Sequence, residues 1–383
     1  MLSRLSKLFS DSAKEIPSTM PALTDAQVLD AVAGLVDPNT GKTYAASRAV
    51  KNLKIGDDSV TLDVVLAYPA KSQFERVKAE FEAAIAPLAG GRAVSANVKS
   101  EIVSHSVQRG VPLLPGVKNI VAVASGKGGV GKSTTTANLA LALAAEGARV
   151  GILDADIYGP SQPLMMGLAG QRPETEDGKH LIPVENHGVQ TMSIGYLVDP
   201  DQAMVWRGPM VSQALQQLLN DTRWNELDYL LVDMPPGTGD IQLTLSQKVP
   251  VTGAVIVTTP QDIALLDARK GVTMFNKVGV PIIGLVENMA IHVCSNCGHA
   301  EHIFGEGGAA RMAADFGVEV LGSLPLDIGI RLAVDEGRPS VVADPDGQIA
   351  DIYKAIARRV AVKVGEKAQD FSAKFPKIVI QNN

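Results

Sequence analysis

The sequence predicts an α/β protein whose main domain is a doubly wound, mostly parallel sheet, preceded by a small α+β domain. Three observations predict it. Apolar strand candidates alternate with helical segments from residue 118 onward, a glycine-rich turn joins the first of those strands to its helix, and the pattern changes character across a Gly/Pro-rich stretch. That stretch, residues 107–117, contains Gly110, Pro112, Pro115 and Gly116 and reads as a linker.

Upstream of it, Asp25 to Val36 has helical spacing, Ser59 to Tyr68 alternates as a half-buried strand does, Gln73 to Ile85 is an amphipathic helix, and Arg92 to Val103 is strand-like. This is an α+β domain over residues 24–106. Downstream, Ile120 to Ala124 is a continuous apolar run of the kind found in buried parallel strands. Ala137, Ala140, Leu141 and Ala144 follow at helical spacing. Further strands are expected at Arg149 to Leu153, Val189 to Ile194, Tyr229 to Val232, Ala254 to Thr258, Ile282 to Glu287 and Val318 to Leu324. Their alternation with helices implies βαβ units over residues 118–368, with ligands gathered at the carboxyl ends of the strands.

The chain has 383 residues, 35 basic and 41 acidic side chains, and a formal charge of −6. That balance argues against a dedicated nucleic-acid binder, and no apolar run reaches the roughly 18 residues of a membrane span, so neither nucleic acid nor stable membrane insertion is expected. Residues 1–23 read as an N-terminal extension: Leu2, Leu5, Leu8 and Phe9 are interleaved with Arg4 and Lys7, without the continuous apolar region of a secretory signal. Residues 369–383 read as a C-terminal tail. With only Cys294 and Cys297 there is no disulfide framework, and a reducing, cytoplasmic location fits.

The most informative segment is Ser125-Gly126-Lys127-Gly128-Gly129-Val130-Gly131-Lys132-Ser133-Thr134. It reads as a phosphate-binding loop between a strand and a helix, which makes the main domain a P-loop NTPase domain. Its glycines let backbone N–H groups approach phosphate oxygens, Lys132 and the helix N-terminus add positive charge, and Ser133 supplies a hydroxyl for Mg²⁺. Nucleotide binding follows. Two further strand ends carry acids. Asp233 closes Tyr229-Leu230-Leu231-Val232 and precedes Met234-Pro235-Pro236-Gly237-Thr238-Gly239-Asp240, where phosphate-loop enzymes place a carboxylate for the Mg²⁺ shell. Asp154 and Asp156 follow Val150-Gly151-Ile152-Leu153 in the same way.

Gly126-Lys127-Gly128-Gly129-Val130-Gly131-Lys132-Ser133 resembles the deviant Walker A loop of ATPases related to MinD, ParA, arsenite pumps and the nitrogenase iron protein. The early Lys127 is that group's signature, and the resemblance implies a homodimer in which it crosses to the partner's nucleotide. It also implies that Lys132 holds the β- and γ-phosphates of ATP, that Ser133 and Asp233 serve Mg²⁺, that Asp156 orients the attacking water, and that Asn288 reads adenine.

Cys294-Ser295-Asn296-Cys297-Gly298-His299 lies just beyond the strand Ile282 to Glu287, on the nucleotide side of the sheet. C-x-x-C suits a shared metal centre and equally a redox dithiol. Ligand number separates the metal readings. A four-iron cluster takes four thiolates and one chain has two, whereas a mononuclear zinc could be completed by histidines from among His292, His299 and His302. Two chains about a twofold axis supply four thiolates, and Lys127 independently asks for a dimer. A bridging cluster is the economical reading.

With these cysteines, the Asp154 to Ser161 segment and the Asp233 to Asp240 segment, the chain resembles the Mrp/Nbp35 branch, the iron–sulfur cluster carrier ATPases, over roughly Lys118 to Val364. The resemblance implies that a [4Fe–4S] cluster is held between protomers by Cys294 and Cys297 and passed to recipient apoproteins and cluster-assembly partners, with slow Mg²⁺-dependent ATP hydrolysis. Residues 24–103 resemble, more loosely, the MIP18-like module, including Leu35-Val36-Asp37-Pro38. The cysteine often found after that module's second strand is absent from Tyr68-Pro69-Ala70-Lys71, so a docking role is expected of it. The alternative is a MinD/ParA-type positioning ATPase acting on membrane or DNA, with the basic helix Tyr353 to Lys367 at the interface. A terminal helix packed on its own domain is the plainer reading of that segment.

Overall fold

The structure, a computed structural model, describes residues 23–108, 111–175, 177–198 and 208–367. Residues 1–22 of the extension, Gly110 of the linker and the C-terminal tail lie outside the described residues.

The N-terminal module runs α1 (Asp25–Ala33), β1 (Val50–Ile55), β2 (Ser59–Leu66), α2 (Phe74–Ile85) and β3 (Ala93–Ser100). Thr24 and Gln27 form a reciprocal capping box that starts α1. The sheet order is β1-β2-β3, antiparallel then parallel. Val28, Val32, Val77, Phe81 and Ile85 pack the two helices against it, and Tyr44 meets Phe81 edge-on with ring centroids 5.1 Å apart. Strand β1 has no counterpart in the sequence reading. Its register slips between Lys51 and Lys54, and Asn52 takes a φ of 52°, so its side chains lack a clean two-residue alternation.

The main domain continues with β4 (Val117–Ala124), α3 (Lys132–Ala145), β5 (Val150–Asp154), α4 (Gln162–Met165), β6 (Val184–Asn186), β7 (Val189–Ser193), α5 (Gly208–Asp221), β8 (Leu227–Asp233), α6 (Asp240–Lys248), β9 (Gly253–Thr258), α7 (Asp262–Lys277) and β10 (Ile282–Glu287). Then come β11 (His292–Val293), β12 (Ala300–Glu301), α8 (Gly308–Phe316), β13 (Val320–Ser323), α9 (Ile328–Asp335), α10 (Ser340–Ala343) and α11 (Gln348–Gly365). The sheet order is β13-β10-β9-β4-β8-β5-β7-β6, parallel except for β6 at the edge. Its parallel strands are those the apolar runs predicted. β4 sits where the order reverses between β5 and β9, so the loop after it opens at the switch point of the sheet.

The two modules are joined at the far end of α3. Glu146, fully buried there, accepts from Ser72 N (2.9 Å) and Ser72 Oγ (2.7 Å) and pairs with Arg358 of α11. Lys42 adds an ion pair with Glu366 at 3.2 Å. Helix α11 packs Tyr353, Ile356, Ala357, Val360 and Val364 into the core. Its other basic side chains are also engaged within the chain: Lys354 donates to Pro345 O, Arg359 to Leu321 O, and Lys363 pairs with Glu319. The packed-helix reading therefore holds. No described helix is long and apolar enough to cross a membrane.

Candidate functional site

The loop after β4 is shaped by its glycines. Gly126 runs so close to α7 that a Cβ there would lie 2.1 Å from the Asp267 carbonyl carbon, and a Cβ on Gly131, at φ +82°, would lie 2.1 Å from Asn288 Nδ2. At Gly128 and Gly129 a Cβ would meet nothing within 4 Å, so this side of the loop is an open cradle. Ser125 Oγ donates to Lys127 O at 2.9 Å, and Val130 is buried as the loop's anchor. Asn288, just after β10, donates through Nδ2 to Val130 O at 2.9 Å. In this geometry it braces the loop, whereas the adenine role rests on the resemblance alone.

Helix α3 starts at Lys132, so its first N–H groups face the cradle. The Lys132 ammonium, 6% exposed, donates to Asp233 Oδ1 at 2.5 Å and to Ser133 Oγ at 3.1 Å. The serine hydroxyl and the carboxylate thus already converge on one cation. Hard oxygen donors placed this way suit Mg²⁺, so the chain has a fitting donor set for that ion. Thr134 sits one position further into α3, half-buried, and its carbonyl accepts from Asn138 Nδ2 at 3.0 Å.

Asp233 and Asp154 end neighbouring strands as register partners, both fully buried. Burial, and then the Asp233 carboxylate beside it, pushes Asp154 up to about 7, against the opposing Gln162 N–H, Lys132 and Ser193 hydroxyl. Asp154 accepts from Gln162 N (3.1 Å), Ser193 Oγ (3.0 Å) and Asp156 N (3.2 Å). Asp156 is half-buried in the next loop, and its carboxyl is raised by burial while Lys132 pulls the other way. It lines a cavity of about 370 Å³ with Tyr158, Pro235, Pro236 and Asp240, which brings the loops after β5 and β8 to one opening. The Lys127 side chain is half-buried and has no hydrogen-bond or ion-pair partner among the described residues.

The cysteines sit on a small hairpin that the sequence reading did not resolve into strands. His292 and Val293 pair with Glu301 and Ala300, and the turn between is closed by Cys294 N donating to His299 O (2.9 Å) and Gly298 N to Cys294 O (2.8 Å). Gly298 takes a φ of 73°, which glycine adopts readily. Cys294 is partly exposed and Cys297 exposed. N–H groups of Cys297 and Asn296 aimed at Cys294 Sγ hold its thiol below the ordinary value, which favours the thiolate. His292 Nδ1 faces Leu326 O at 3.0 Å and His302 Nδ1 faces Ala290 O at 2.7 Å, contacts that engage one ring nitrogen of each. Among the described residues no group of three His, Cys, Asp or Glu side chains is placed to hold a metal ion.

Three site residues escaped the sequence. Gln162 donates through Nε2 to Asp233 Oδ2 (2.9 Å) and to Ser133 O (3.1 Å), Thr136 Oγ1 reaches Asp233 Oδ1 (3.2 Å), and Ser193 holds Asp154. Thr136 lies one helical turn after Lys132, a spacing that could have revealed it. Nothing local marks Gln162 or Ser193.

Residues 116–361 match the family described as NUBPL iron-transfer P-loop NTPase, and residues 25–98 match a second, described as iron-sulfur cluster assembly protein. The chain is 50% identical over 344 residues to the iron-sulfur cluster carrier protein of Escherichia coli (strain K12), covering 90% of this chain and 93% of that one. It is 64% identical over 275 residues to the protein of the same name from Pseudomonas fragi, covering 72% and 96%. Among solved structures, a nucleotide-binding protein in complex with ADP from Archaeoglobus fulgidus is 38% identical with a TM-score of 0.54, over 62% of this chain and 93% of that one. With the matched region spanning the P-loop, the acidic strand ends and the cysteine hairpin, the chain belongs to the NUBPL iron-transfer P-loop NTPase family.

Proposed function

We propose that this protein is an iron–sulfur cluster carrier that binds and hydrolyses ATP. Two protomers hold one [4Fe–4S] cluster as cargo through Cys294 and Cys297 of each, and deliver it to recipient apoproteins. The observation that carries the reading is the link formed by the segment just after β10: Asn288 grips the P-loop at Val130, and a few residues on, Cys294 begins the thiol-bearing turn. A change in the loop therefore has a short covalent path to the cargo site.

In this reading the backbone of Gly126, Gly128, Gly129, Val130 and Gly131, with Thr134 in the first turn of α3, cradles the phosphates, and Lys132 neutralises them. Ser133 and Asp233 would hold Mg²⁺, which when bound spreads the charge developing on the transferred phosphoryl group. Asp156 orients the attacking water, and Asn288 borders the adenine. Lys127, without a partner among the described residues, supplies its ammonium across the dimer, so that hydrolysis waits for assembly. The exposed hairpin suits a cluster that must leave, because a labile site is better open than enclosed. The positioning-ATPase alternative gives the two thiols no task, and basic residues of α11 are engaged inside the chain.

The test is anaerobic cluster reconstitution of the parent and of Cys294→Ser/Cys297→Ser, followed by transfer to an apoprotein that requires a cluster. The double variant is expected to bind ADP as the parent does while losing iron and transfer. Iron retained stoichiometrically by the double variant would overturn the assignment.

A further inference from the structure

Gln162 is fully buried, and its carboxamide lies between the helix that carries Ser133 and the strand end that carries Asp233. Its orientation is fixed by its acceptors. Nε2 faces two oxygens, Asp233 Oδ2 at 2.9 Å and Ser133 O at 3.1 Å, so a flipped amide would set oxygen against oxygen. Its own Oε1 is buried with no partner, so the side chain satisfies those two oxygens and leaves its acceptor unmatched. The residue also opens α4, and its backbone N–H donates to Asp154 Oδ2 at 3.1 Å. One residue thus ties the ends of β5 and β8 to the start of α3, in the same connection that carries Asp156.

We propose that Gln162 is a positioning residue for the Mg²⁺ centre: it locks the plane of the Asp233 carboxylate and its spacing from Ser133, so that the oxygen donors stand ready for the metal. Lys132 and Thr136 fasten Oδ1, and among the described residues only Gln162 fastens Oδ2. Without it the carboxylate keeps both anchors on one oxygen and can rotate. Mg²⁺ demands near-octahedral geometry and is sensitive to such freedom, and residues that orient metal ligands typically set affinity by about 10- to 100-fold. The inference rests on the proposed Mg²⁺–nucleotide site and deepens it.

The experiment measures ADP binding to the full chain by calorimetry, in EDTA and across a Mg²⁺ titration, for the parent, Gln162→Leu and Gln162→Met. Both variants keep the volume and lose the donor. The expected result is a Mg²⁺ half-saturation raised about 10-fold or more, with ADP affinity in EDTA within about 2-fold of the parent. An unchanged Mg²⁺ titration in either folded variant overturns the proposal. So does an equal loss of ADP affinity with and without Mg²⁺, or failure of both variants to fold, since each makes Gln162 a structural residue. If the parent itself shows no Mg²⁺-dependent ADP binding, the nucleotide-site reading fails first; a responsive parent with variants that match it defeats only the role of Gln162.

Discussion

Asp154 and Asp233 are register partners at the ends of two neighbouring parallel strands, both fully buried, with the single ammonium of Lys132 bonded to one of them. Two carboxylates and one cation leave an excess of acidic groups at the P-loop, which suits a site built for a divalent metal and costs stability without one.

The pH dependence follows from that excess. Asp154 is raised to about 7, so between the ordinary carboxylate range and neutrality the folded chain binds a proton that the unfolded chain has lost. Stability from this group therefore falls as pH rises through that window. Asp154→Asn should raise the melting temperature of the nucleotide-free protein more at about pH 7.5 than at about pH 5. Calorimetric scans at both pH values check it, and an equal gain at the two would show that Asp154 carries no such shift.

On the proposed reading, in which Lys127 supplies its charge across a dimer to the transition state, Lys127→Ala should leave ADP affinity near the parental value and depress ATP turnover by about 100-fold or more. Steady-state hydrolysis beside equilibrium binding separates the two effects. Parental turnover in the variant would remove the trans-acting lysine.

Exposure and electrostatics make opposite predictions for the two thiols. Cys297 is the more exposed, yet Cys294 receives the backbone N–H groups that lower its thiol. Brief alkylation of the reduced, metal-free protein at about pH 7, mapped by mass spectrometry, should label Cys294 first. Preferential labelling of Cys297 would show that access governs the turn.

Breaking the joint at Glu146 should loosen the N-terminal module. Glu146→Ala strands Arg358, whose side chain is 13% exposed. The loss should be about 3 kcal/mol in urea unfolding, with faster proteolysis of the segment that links the modules. Replacing both partners, as Glu146→Leu with Arg358→Met, should recover most of it. A double variant as weak as the single would assign the effect to the Ser72 contacts instead.

The main sheet was legible because its parallel strands are buried on both faces and so read as apolar runs between helices, as Val117–Ala124 and Gly253–Thr258 do. Edge elements were not: β1 carries a register shift, and β6 spans only Val184–Asn186. The thiol hairpin pairs His292–Val293 with Ala300–Glu301, strands too short for any periodicity. At the site, the P-loop was legible because its phosphate-binding residues are contiguous in the chain, and Asp233 because it closes the apolar strand Tyr229-Leu230-Leu231-Val232. Gln162 was not, because its contacts to Ser133 and Asp233 exist only once three separate elements have packed.

The central claim, that two chains share one cluster, is tested most directly by native mass spectrometry of the anaerobically reconstituted protein. The account predicts a species of two chains carrying one [4Fe–4S] unit, which falls to cluster-free chains when either cysteine is replaced by serine. A single chain retaining a complete cluster would contradict it.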